Sequence, residues 1–169
     1  MQVMDKPTFY HSFKSLGLDL PQREEPIFRM NQVCKEPTIL SMLGTAMSGF
    51  AKTWYSPLVL ELFCADGYYA CHAVKMGAAH VRGIDIDDEA LATARAASAM
   101  LFPELKTLFI KSDVMDFACD PSDIVLCCGG LYHLSDPKKL LGKCKALSKK
   151  FLIVQSVVSL DNTDPYYFE

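Results

Sequence analysis

"LELFCADGYYA", Leu60 to Ala70, decides how this chain is read. A short apolar run ends there and a helix-forming run begins, as happens where a buried strand turns into a helix beside a nucleotide. Glycines in such turns let the backbone adopt positive φ and let a ligand come close. Here Phe63 and Ala65 stand at two positions where glycine is usual, and Gly67 is left for the tight turn into the helix. Two readings follow: a loop that cradles a cofactor, or a plain strand-to-helix corner.

The segments after this one alternate in type. "LVLELF" reads as a strand covered on both faces, and "YYACHAVKMGA" as a helix with Gly77 as its C-cap. "HVRGIDI" is a second strand. "DDEALATARAASAMLF" is a helix, with Asp87 or Asp88 as N-cap and Pro103 beyond its end. "LKTLFIKSDV" and "SDIVLCCGG" are a third and a fourth strand. "SDPKKLLGKCKALS" is a helix capped by Ser135, with Pro137 in its first turn, and "KKFLIVQSVVS" is a fifth strand. Strands alternating with helices predict an α/β fold with a doubly wound parallel sheet. Ligands of such sheets sit off the carboxyl ends of the strands, where strand order reverses. That rule selects "CADGYY", "DIDD" and "CGGLYHL".

Residues 1–53 read as an N-terminal helical cover within a single structural unit, with a short helix in "FYHSFKSLGL" and a longer one in "PTILSMLGTAMSGFAKTW". The α/β unit is assigned to 54–169. Met30, Met42, Met47, Phe28, Phe50 and Trp54 are read either as lining a pocket or, more simply, as core.

The totals narrow the class. The chain has 169 residues, half of them hydrophobic and 22% charged, which fits one globular domain. No apolar run is long enough to span a bilayer, and the N-terminus lacks the apolar core of a secretion signal. Seven cysteines, with no C-x-x-C pair, predict reduced and mostly buried thiols in a cytoplasmic protein without a metal site. A net charge of −3 counts against broad nucleic-acid binding. "KKLLGKCKALSKK", Lys138 to Lys150, is the one dense basic stretch, read as a helix with a solvated face.

Asp85, at the end of the second strand, is placed to take both hydroxyls of a ribose, at near the spacing of about 20 residues that this geometry needs. The alternative, an N-cap for the next helix, is already served by Asp87 and Asp88. A dinucleotide loop needs G-x-G-x-x-G, which this sequence lacks, so the loop suits a cofactor without a pyrophosphate.

Together "VLELFCADGYYA", "VRGIDID", "KSDV" and "DIVLCCGGLYHLSDP" resemble the class I methyltransferases that use S-adenosylmethionine, over about Pro57 to Val158. The glycine-poor loop with "LYHLSDP" is most similar to the subset related to enzymes modifying the wobble uridine of tRNA. The resemblance implies a Rossmann-like fold and a set of roles. Glu61 would hold the cofactor's amino group. Phe63 departs from the family loop at the point of closest approach, and Ala65, Asp66 and Gly67 would line the methionine end. Asp85 would take the ribose hydroxyls and Ile86 the adenine face. Asp113 would accept from the adenine amino group, with Val114 packed nearby. Cys128 and Gly129 would pass beneath the sulfonium.

In "GGLYHLSDP", Tyr132 and His133 are the titratable groups in place for catalysis, and His133 suits a base near neutral pH. The alternatives are that Tyr132 packs on the cofactor and that His133 bonds within the Ser135–Asp136 turn. His11, His72 and His80 are expected to be structural or exposed.

Family members usually continue the sheet beyond a fifth strand, with an antiparallel pair. The stretch left here is too short for that, so the last strands are expected to be missing. The favoured expectation is a fragment of a longer protein. The others are a short form that covers its sheet edge by self-association, and a degenerate copy. The expected activity is methyl transfer to a small molecule, a sugar hydroxyl or a tRNA base. A non-catalytic methyltransferase-like binding protein is the alternative, and a nicotinamide oxidoreductase fails at the loop.

Overall fold

A computed structural model describes residues 8–52, 54–104 and 107–157. Leu105 and Lys106 of the expected third strand, the end of the expected fifth strand and "YYFE" lie outside the described residues.

The α/β part runs β1 (Leu58–Leu62), α2 (Tyr68–Lys75), β2 (His80–Asp85), α3 (Asp88–Leu101), β3 (Thr107–Lys111), β4 (Ser122–Cys128), α4 (Pro137–Leu147) and β5 (Ser148–Gln155), after a first helix, α1 (Pro26–Ser48). The five strands form one sheet in the order β3-β2-β1-β4-β5. Every pairing is parallel. The expected doubly wound sheet is present, and strand order reverses between β1 and β4.

Alternation along β1 explains the two cores. Val59 faces the layer made by α1, α2 and α3, packing with Tyr68, Ala70, Leu91 and Ile39. Leu60 and Leu62 face the opposite layer, with Leu140, Cys144 and Leu147 of α4. Glu61 shares the parity of Val59, so a carboxyl enters the first layer near the strand's carboxyl end, where it is 2% exposed.

Helix bounds follow local chemistry, with four corrections. Asp87 caps α3 by accepting from the N–H groups of Glu89 and Ala90. Asp136, not Ser135, caps α4, because its carboxylate accepts from Lys139 N–H. The basic stretch is not one helix, since α4 ends at Leu147 and Lys149 and Lys150 belong to β5. The N-terminal helix begins at Pro26 rather than Pro37, which lies inside it. In "FYHSFKSLGL" only Phe13–Leu16 forms a short 3-10 turn.

The apolar residues before β1 divide. Met47 and Phe50 are core, whereas Trp54, Met30 and Met42 are exposed. All seven cysteines are free thiols, of which Cys64, Cys71, Cys127 and Cys144 are buried. No helix among the described residues is long and apolar enough to cross a membrane.

Candidate functional site

A cavity of about 400 Å³ opens at the carboxyl ends of β1, β2 and β4, where the strand order reverses. Nine of the residues singled out in the sequence line it: Glu61, Phe63, Ala65, Asp85, Ile86, Cys128, Gly129, Tyr132 and His133.

The loop between β1 and α2 takes the shape of a glycine-rich turn without the glycines. Phe63 and Ala65 both have positive φ, 58° and 45°, and Gly67 has 71°. Non-glycine residues in this region cost on the order of 1–2 kcal/mol each. Asp85 offsets part of that cost. One of its oxygens accepts from Ala65 N–H at 2.8 Å, and the other accepts from the N–H groups of Ile86 and Asp87. Cys64 N–H donates to the Ile84 carbonyl, closing the loop onto β2. At Gly67 a Cβ would stand 2.7 Å from the Phe109 ring and 3.0 Å from Ala94 Cβ, so the turn into α2 admits only glycine.

Glu61 is the electrostatic centre of the cavity. Burial holds its carboxyl well above the usual range, the Ala70 N–H works against that rise, and the nearby carboxylates of Asp66 and Asp85 add to it. Its Oε2 is buried and has no hydrogen-bond partner among the described residues. An orphaned buried carboxyl oxygen is costly and fits a site that expects a donor.

Strand β4 leads into the opposite wall. Gly129, at φ 80°, donates its N–H to the Gln155 carbonyl. The Cys128 thiol is pushed up to about 12, first by burial and then by Glu61, so it stays protonated. The rings of Tyr132 and His133 lie 4.3 Å apart, both exposed at the cavity's edge. Burial of its hydroxyl raises the Tyr132 pKa.

Four sequence-selected residues do not line the cavity. Asp66 is buried behind it and bonds His11 of the wall. Gly67 lies under Phe109. Asp113 accepts from Met115 N–H and shapes the turn after β3, and Val114 is buried in the α4-side core.

Sequence reasoning expected an N-terminal cover but did not name the residues of this wall. Tyr10, His11, Asn31, Lys35 and Ile39 line the cavity, joined by Tyr69 and Gln155. His11, given no role from sequence, is 7% exposed and paired with Asp66. No local signal marks it, because its partner lies 55 residues away.

A parallel five-stranded sheet with a carboxylate-bearing cleft at its reversal point defines a nucleotide-type cofactor fold. Residues 59–150 match the family described as "Methyltransferase domain", more than half of the chain. The chain belongs to that family, and so to the class I S-adenosylmethionine-dependent methyltransferase superfamily.

Among curated proteins it is 34% identical over 94 residues to the ubiquinone biosynthesis O-methyltransferase of Vibrio campbellii, covering 54% of this chain and 39% of that protein. The chain thus spans about two-fifths of that relative's length. Its fold is similar to magnesium protoporphyrin IX methyltransferase from Synechocystis PCC 6803, crystallised with bound SAM. That match has a TM-score of 0.68 and 17% identity, over 85% of this chain and 67% of that one. It is also similar to the plantazolicin methyltransferase BpumL in complex with SAH, with a TM-score of 0.59 and 18% identity over 79% and 55% of the two chains.

Proposed function

We propose that this chain binds S-adenosylmethionine in the cavity at the ends of β1, β2 and β4 and transfers its methyl group to a small-molecule acceptor. The orphaned Glu61 Oε2 carries the reading. A cationic ammonium group is the partner that a buried, unsatisfied carboxyl lacks, and the cofactor's amino group would supply it. Asp85 would take the ribose hydroxyls with the acceptor capacity its three backbone bonds leave. Ile86, exposed at the rim, would meet the adenine. Ala65 and the strand β4 end at Cys128 and Gly129 would flank the methionine and sulfonium region. In this reading Asp66, Asp113 and Val114 support the loops rather than touch the cofactor.

When bound, the cofactor supplies an electrophilic methyl on a positively charged sulfur. The chain's task is then to hold the acceptor in line, exclude water and manage a proton. Tyr132 and His133 are placed for the acceptor side. Residues 1–53 would cover the cavity, a role supported by Tyr10, His11, Asn31 and Lys35 in its wall.

A small-molecule acceptor draws on the likeness to the ubiquinone biosynthesis O-methyltransferase. The finer resemblance to tRNA wobble-uridine enzymes rests on "FCADGYY" and "LYHLSDP", and on exposed Lys138, Lys139 and Lys145 on α4. The free thiols fit a reducing, cytoplasmic setting.

Calorimetry with S-adenosylmethionine and S-adenosylhomocysteine tests the reading on this chain. The expected result is micromolar binding that is lost in Asp85→Ala and weakened at least tenfold in Glu61→Gln. No binding by the folded wild-type chain would sink it. Binding without transfer to any acceptor would favour a non-catalytic relative. Salt-sensitive tRNA binding would favour the nucleic-acid acceptor.

A further inference from the structure

Asp66 clamps His11 twice across 55 residues of sequence. One carboxylate oxygen accepts from the His11 backbone N–H at 2.7 Å, and the other lies 2.7 Å from ring Nδ1. Asp66 is buried to 1% exposure, so this pairing forms away from water. The imidazole is fixed from two further sides. It stacks on the Tyr68 ring, with centroids 4.7 Å apart and planes at 14°, and meets the edge of Tyr69 at 5.4 Å. A carboxylate at Nδ1 requires that nitrogen to donate, which leaves Nε2 unprotonated in the neutral ring. Among the described residues Nε2 has no hydrogen-bond partner, and His11 lines the cavity.

We propose that His11 is the catalytic base of this site, with Asp66 as its positioning residue, and that the acceptor is a phenolic hydroxyl. The proposal rests on the methyltransferase reading of the same cavity. His133, the sequence-based choice, is exposed, and no carboxylate among the described residues pairs with it. His11 has the orienting carboxylate, a fixed ring plane and shelter from solvent, which are the parts of an aspartate–histidine base. Phenols suit the wall. Tyr10, Phe63, Tyr69 and Tyr132 present aromatic surface for a planar ring. A histidine base also matches a phenol far better than an aliphatic alcohol.

The step balances within the site. The acceptor oxygen forms a bond to the methyl carbon as the carbon–sulfur bond breaks, and that bond's electron pair stays on sulfur. The hydroxyl proton passes to His11 Nε2, and Asp66 stabilises the resulting imidazolium.

The first test needs no cofactor. Chain labelled with 15N-histidine is titrated by NMR. His11 meets Asp66, Tyr10, Tyr68 and Tyr69, with His72 close by and Lys35 in the same cavity wall, so its signals are assigned with His11→Gln. The expected result is a neutral ring protonated at Nδ1, with that tautomer lost in Asp66→Asn. A neutral ring protonated at Nε2 would overturn the proposal.

The second test uses catechol and the more acidic 4-nitrocatechol as acceptors with S-adenosylmethionine. His11→Gln should lower kcat for catechol about 100-fold or more, the scale of general-base catalysis. The loss should be much smaller for the nitrophenol, whose hydroxyl is already ionised. Equal losses for both phenols would make His11 structural. A wild-type chain that binds cofactor yet methylates neither phenol would overturn the acceptor assignment. A folded wild-type chain that binds no cofactor would sink the parent reading while leaving the tautomer result standing.

Discussion

The ring of Phe63 fills the space that a side chain on Gly130 would need: a Cβ there would fall 2.0 Å from Phe63 Cδ2 and 2.3 Å from Cε2. The loop after β1 and the turn after β4 are therefore locked to each other by one ring and one missing side chain. Phe63 stands where glycine is usual, and the missing side chain at Gly130 makes room for its ring.

Gly130→Ala should displace the ring and, with it, the loop. Overpacking of this kind costs about 1–3 kcal/mol. At about 2–4 °C per kcal/mol for a chain of this size, melting should fall by several degrees. Affinity for S-adenosylmethionine should drop at least tenfold. The double variant Phe63→Ala/Gly130→Ala should recover part of both losses. A double variant as weak as the sum of its parts would show that the two residues act independently.

Ala65 makes the opposite case. Its φ of 45° would suit glycine, and its N–H is held by Asp85. Ala65→Gly relieves about 1–2 kcal/mol of left-handed strain. Against this stands about 0.5–1 kcal/mol of extra chain entropy lost on folding. Differential scanning calorimetry should find melting unchanged or slightly raised. A drop of several degrees would mean that the Ala65 methyl contributes packing that outweighs the strain.

The alternation of strands and helices was legible because each strand carries a short cluster of apolar residues and most helices carry a cap or breaker. The positive φ of Phe63 and Ala65 was not, because the side chains themselves argue against it. What overrides them is Asp85, twenty residues on, which bonds the loop only once β1 and β2 are paired. Which N-terminal residues meet the cavity was hidden for a similar reason. Helix α1 carries apolar residues on exposed and buried faces alike, with Pro37 in its interior, so periodicity says little about which side meets the cavity. His11 acquires its neighbours only through the fold.

His72 predicts an acid weakness. It is buried on α2 and accepts or shares a hydrogen bond with Ser15 Oγ. Burial lowers its pKa to about 4, with Lys75 and His11 adding to the drop and Glu36 opposing it. Between about 4 and the ordinary 6.5 the unfolded chain binds a proton that the folded chain does not. Stability therefore falls as pH falls through that window, by at most about 1.4 kcal/mol per pH unit from this group. Urea unfolding at pH 7, 6 and 5 should give a steeper loss for wild type than for His72→Gln. Equal slopes would place the acid sensitivity elsewhere.

Glu61 predicts a trade between stability and binding. Its carboxyl pKa is held well above the ordinary 4.5 by burial, so the folded chain retains a proton that the unfolded chain has released. Above pH 4.5 stability consequently falls as pH rises, until the folded carboxyl itself ionises. Glu61→Gln keeps the shape and removes the ionisable group. The variant should be more stable than wild type without ligand, and its advantage should widen from pH 5 to pH 8. It should also bind S-adenosylmethionine at least tenfold more weakly, because the ammonium loses its carboxylate. Proton release should accompany binding in wild type and be absent from the variant, measured as the dependence of binding heat on buffer ionisation enthalpy. A variant that is less stable at every pH would mean that Glu61 is held by partners within the fold and is not waiting for a ligand.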